Sequence, residues 1–94
     1  GEASLLYDGT ILTNDGGEID IDISSGDPHL SFQIGGTDEF TIGVDDSDSD
    51  IFKIDTGGTV GGATKLSIDT SGNVIIAGGL TMGSTSFNRV RIRR

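Results

Sequence analysis

Residues 18–23 read EIDIDI: Glu18-Ile19-Asp20-Ile21-Asp22-Ile23 alternates carboxylate and isoleucine without a fault. A strand turns successive side chains to opposite faces, so this pattern gives one wet face and one apolar face. A helix would spread the same residues around its whole circumference and bury acids beside isoleucines. The period of two recurs outward from there. Leu30-Ser31-Phe32-Gln33-Ile34, Phe40-Thr41-Ile42-Gly43-Val44, Phe52-Lys53-Ile54-Asp55, Leu66-Ser67-Ile68-Asp69 and Val90-Arg91-Ile92-Arg93 all alternate. Apolar stripes at the helical period of 3.6 are missing, because Gly, Asp, Ser and Thr interrupt every longer window. The separators are turn chemistry: Asp8-Gly9, Asn14-Asp15-Gly16-Gly17, Ser24-Ser25-Gly26-Asp27-Pro28, Gly35-Gly36, Gly57-Gly58, Gly61-Gly62, Ser71-Gly72-Asn73 and Gly78-Gly79. The fold class is therefore all-β, with short strands and tight Gly-rich turns.

Ninety-four residues allow one domain, or one segment of a longer fibrous protein. The 16 glycines do not fall at every third position, which excludes collagen. With no cysteine, disulfides and thiolate metal sites are excluded. No apolar run approaches a membrane span, and no signal-peptide pattern is visible. The chain begins at Gly1 without Met, so it is expected to be processed or part of something larger. A Gly-rich chain of this size with modest apolar content is marginal alone, and oligomerisation is one standard remedy.

The net charge of −9 is unevenly placed. Four arginines fall in the last six residues, whereas the preceding part sets 15 acids against Lys53 and Lys65, a net of −13. Such an acidic body argues against nucleic acid or an anionic membrane as partner.

A loose repeat, apolar–x–Ile–(Gly/Asp), begins at Phe32, Phe40, Phe52 and Leu66. Its last two copies extend furthest, FKIDTGGTV at 52–60 and LSIDTSGNV at 66–74, each read as strand, turn, strand. The spacings of 8, 12 and 14 residues are too irregular for a single-chain solenoid. These phrases, with the Gly-rich stretch Ile76-Ala77-Gly78-Gly79-Leu80, resemble the shaft repeats of bacteriophage tail fibres and related trimeric virion appendages. The likeness covers residues 50–83 well and 18–44 more weakly; Ile75-Ile76-Ala77 stands where the commonest phrase has Gly-Ile-Gly. It implies an elongated, intertwined homotrimeric β-shaft, residues 1–94 forming one segment with a basic terminal strand at 87–94. It further implies an extracellular location on a virion, contact with other virion tail proteins, and host attachment to a surface glycan or protein through the wider fibre.

The candidate sites are few. Asp46, Asp48 and Asp50, preceded by Asp45, have the alternating-carboxylate spacing of a Ca²⁺ loop. The glycine and glutamate of an EF-hand are missing, their places taken by Ile51 and Gly57, so the loop is expected to bind Ca²⁺ weakly or not at all. His29, the single histidine, is read as a turn residue rather than a ligand or base. Asp20 and Asp22 lie about 6.5–7 Å apart on one strand face, a spacing permissive for glycoside hydrolysis but common to any acidic strand. With no Trp and only Tyr7 to stack a sugar, no enzyme is expected, and no cofactor. Ile19, Ile21 and Ile23, with Phe32, Ile34, Phe40, Ile42, Phe52, Ile54, Leu66 and Ile68, are expected to face a core shared largely between chains. Arg89, Arg91 and Arg93 alternate with Val90 and Ile92, the mirror of Asp20 and Asp22 among their isoleucines. They guard an exposed edge, pair with the acidic strand as an assembly element, or form a tail that docks an anionic surface.

The expected function is a non-catalytic structural shaft of a phage tail fibre or similar appendage. The alternatives are a cell-surface adhesin stalk, or a filament-forming or capsid-decorating protein that assembles by strand exchange.

Overall fold

The computed structural model describes residues 5–83. Seven strands and no helix are present among them. Strands β1 (Leu5–Tyr7) and β2 (Leu12–Asn14) pair antiparallel as an isolated hairpin. Asp8 closes it, its Oδ1 accepting from the amides of Thr10 at 2.9 Å and Ile11 at 2.7 Å. The remaining strands, β3 (His29–Ile34), β4 (Thr37–Asp45), β5 (Ile51–Thr56), β6 (Thr64–Ile68) and β7 (Val74–Ile76), form one antiparallel meander in sequence order. All-β is thus the observed class.

The corners follow from the turn residues. Gly35 and Gly36, with φ of 59° and 85°, form the two-residue loop between β3 and β4. Two successive positive φ angles match the twist of a tight hairpin and favour glycine at both places. The β4–β5 corner is the acidic stretch 46–50, where Ser49 and Asp50 both adopt positive φ. Between β6 and β7, Asp69 Oδ1 accepts from the amides of Ser71 and Asn73, both at 2.9 Å, while Asn73 Nδ2 donates to Asp69 Oδ2 at 3.0 Å.

Three features depart from the sequence expectation. The β1–β2 hairpin carries no alternation signal, since each strand is only three residues long. Residues 18–23, the most regular alternation of all, pair with no strand among the described residues. Their isoleucines stand open, Ile19 at 70%, Ile21 at 47% and Ile23 at 52% exposure. The third is Val60, expected to begin a strand like Val74. It lies instead in the 57–63 connection and is buried at 7% exposure, the one buried apolar side chain among the described residues.

Candidate functional site

The register decides what each face of the sheet is made of. Leu30 pairs with Ile42, Ile42 with Ile54, Ile54 with Leu66 and Leu66 with Ile76, an apolar row crossing all five strands. A second row runs Val44, Phe52, Ile68, Val74, and a third begins Phe32, Phe40. The intervening rows point to the opposite face. They read Ser31, Thr41, Asp55, Thr64 and His29, Gly43, Lys53, Ser67, Ile75. Cross-strand neighbours on one face are the unit that stabilises a sheet, and the first two apolar rows are apolar throughout.

The polar face is the covered one. The 57–63 connection folds back across it and is held by a buried latch. Asp55 is fully buried; its Oδ2 accepts from the amides of Gly61 and Ala63, both at 3.0 Å, and from Thr64 Oγ1 at 2.9 Å. Thr41, also fully buried, donates its hydroxyl to the carbonyl of Gly57 at 2.6 Å. A side chain at Gly61 would run into Asp45 Oδ2, so this close crossing requires glycine, as does its φ of 87°. The other oxygen of Asp55, Oδ1, is buried without a hydrogen-bond partner among the described residues.

Beside the latch, Lys53 Nζ donates to Asp45 Oδ2 at 2.8 Å and to Asp48 Oδ2 at 2.6 Å. Lys53 and Asp45 are both buried. The Asp45 hydrogen bond, with help from Asp48, pushes Lys53 from 10.5 up to about 12. The same bond, with Ser47 Oγ donating to Asp45 Oδ1, holds the Asp45 carboxyl below its usual 3.8. The Asn73 contacts lower Asp69 in the same way, and the Ile11 and Thr10 amides lower Asp8.

These shifts set a pH window. A carboxylate with a depressed folded pKa adds stability that is complete above about 3.8 and lost as pH falls through the lower folded value. Lys53, raised, adds stability that is complete below 10.5 and lost as pH climbs through about 12. Thermal melts between pH 5 and pH 10 are expected to agree within a few degrees. The melting temperature is expected to fall below pH 4 and again above pH 11. Lys53→Met is expected to remove the alkaline fall; an unchanged alkaline limb would show that the pair is not formed.

The acidic corner is thus partly engaged. Asp48 is used on Lys53, while Asp27 Oδ1 accepts from the Asp46 amide at 2.8 Å. No cluster of three His, Asp or Glu side chains able to hold a metal is found among the described residues. His29 opens β3, its Nδ1 lying 2.7 Å from the Asp27 carbonyl. A cavity of about 280 Å³ is lined by Asp48, Lys53, Thr64, Lys65, Ser67 and Ile75 among others.

The apolar face, by contrast, has no described segment folded over it. Leu30, Phe32, Phe40, Ile68, Val74 and Ile76 are exposed, and Ile42, Val44, Phe52, Ile54 and Leu66 are only half-buried. Strand and row spacings give it a projected area on the order of 400 Å², towards the upper end for the largest apolar patch of a monomer. Sequence alternation predicted which residues share this face. It did not predict that the single chain buries the other side, for which the sequence signal was slight: Lys53 is one of only two cations before the terminal arginines. Asp20 and Asp22 lie on the unpaired 18–23 segment, and Arg89, Arg91 and Arg93, with the strand expected at 87–94, lie outside the described residues.

No known protein family, curated protein or solved structure matches this chain. Among the described residues, no helix is long and apolar enough to cross a membrane.

Proposed function

We propose that this chain is a non-catalytic structural segment of a trimeric β-shaft, in which three copies turn their open apolar faces toward a common interior. One observation carries the reading: among the described residues a five-strand apolar face of Leu, Ile, Val and Phe stands uncovered, while the buried groups lie on the opposite, mostly polar side. An apolar surface of this extent is driven out of water, and other copies of the chain supply matching surface without charge. Apart from Asp55 Oδ1, the buried polar groups are held by one another and by the backbone, which favours a scaffold over a reaction centre. The resemblance of residues 50–83 to tail-fibre shaft repeats supports a virion appendage outside the cell. There the segment would space a receptor-binding tip from the particle, beside other tail proteins and facing a host glycan or protein. A cell-surface adhesin stalk would use the same rod.

Light scattering on the purified chain tests this. A mass of three chains supports the shaft, and a mass of one chain overturns it. Polymers of indefinite length would favour the filament reading, for which the unpaired 18–23 segment is the specific argument.

A further inference from the structure

Residues 18–23 have the most strand-like pattern in the chain and no strand partner among the described residues. The sheet has an open edge of the same length. β3 has six residues, all exposed, and among the described residues it pairs with β4 on one side only. An unpaired edge strand presents a row of free amides and carbonyls, and an extended segment with alternating side chains is what such an edge accepts.

We infer that residues 18–23 of one copy add as a sixth strand to the β3 edge of a neighbouring copy. The inference deepens the shaft reading and rests on it. The chemistry matches on both faces. Leu30, Phe32 and Ile34 line one side of β3 and would receive Ile19, Ile21 and Ile23, which extends the apolar face by one strand. His29, Ser31 and Gln33 line the other side and would stand beside Glu18, Asp20 and Asp22 with no carboxylate of β3 opposing them. The carboxylate bonded to this edge, Asp38, is held by Gln33 Nε2 at 2.6 Å. The opposite edge fits worse. β7 offers three residues, and its side chain on the polar face is Ile75, against which a carboxylate would be desolvated without a partner. The sequence just before β3 is tied elsewhere. The Pro28 carbonyl accepts from the Val44 amide at 3.1 Å, and Asp27 from Asp46, so the chain runs on past the end of that pairing.

With faces matched, Asp20 lies beside Ser31 both in the parallel register that sets Ile19, Ile21 and Ile23 against Leu30, Phe32 and Ile34, and in the antiparallel register that sets Ile19 against Phe32 and Ile21 against Leu30, so one residue pair tests these two registers. The chain has no native cysteine to interfere. Asp20→Cys and Ser31→Cys are made in separate chains, refolded together and treated with a short bis-maleimide or mild oxidant. The expected result is a covalent two-chain species in the mixture and in neither variant alone. The double variant is expected to give linked species up to three chains. Linkage within single chains of the double variant, with none in the mixture, would show the segment folding back on its own β3 and would overturn the inference. Absence of any linkage while light scattering still reads three chains would also overturn it and leave the shaft reading standing. A one-chain mass for the unsubstituted protein would remove the shaft reading itself.

Discussion

Ile54→Asp is expected to abolish assembly while leaving the covered side of each sheet intact. Ile54 sits at the middle of the five-strand apolar row, between Ile42 and Leu66. In a shared interior its carboxylate would be buried without a cation, repeated once per chain. Each such burial costs several kcal/mol, more than an assembly held by apolar contact can absorb. Light scattering should fall from three chains to one or to ill-defined aggregates. Amide exchange at Gly61 and Ala63 should stay protected, because their acceptor is Asp55 on the opposite face. Ile54→Val, which removes one methylene, should cost only about 0.5–1.5 kcal/mol and keep the assembly. Ile75→Ser, exposed on the opposite face, should be silent. A three-chain mass retained by Ile54→Asp would mean that this face does not look inward.

Asp55→Ala is expected to be the most damaging single truncation on the polar side. It leaves the Gly61 and Ala63 amides and the Thr64 hydroxyl without their acceptor, and it frees the loop that buries Val60. Losing several charge-assisted bonds at a buried site costs on the order of 3–5 kcal/mol, read as a lower urea midpoint and a melting temperature down by more than about 10 °C. Asp69→Ala makes the comparison sharp. Asp69 occupies the same place in the same phrase and also accepts two backbone amides, yet its turn is exposed and water replaces the lost acceptor. Its loss should cost about 0.5–2 kcal/mol, as for a surface cap. Equal costs for the two substitutions would show that burial of Asp55 is not what makes the latch matter.

That pair of aspartates also shows how far the sequence could be read. FKIDTGGTV and LSIDTSGNV share a pattern, and in both the strand ending at the aspartate is real. The second leads through a short turn into β7. The first leads into a seven-residue connection that turns back, because Gly61 lets the chain cross close over Asp45 and brings its own amide and that of Ala63 to Asp55. No alternation encodes that crossing; it depends on two strands already lying side by side. The apolar rows were legible because period two assigns faces without any tertiary knowledge. Which face a lone chain covers was not legible, since that depends on where a loop falls. For residues 18–23 the pattern told the local conformation such a sequence favours and nothing about which strand would supply the hydrogen bonds.

The meander has a kinetic consequence. Every strand of the five-strand sheet pairs with its neighbour in sequence, so each contact closes a short loop and costs little chain entropy. Such a sheet, with its low contact order, is expected to form early and quickly, hairpin by hairpin, while a nascent chain is still being lengthened. Joining of copies would then be a separate, bimolecular stage whose rate depends on chain concentration. Refolding should show a fast phase independent of dilution, followed by a slower one that lengthens as the protein is diluted.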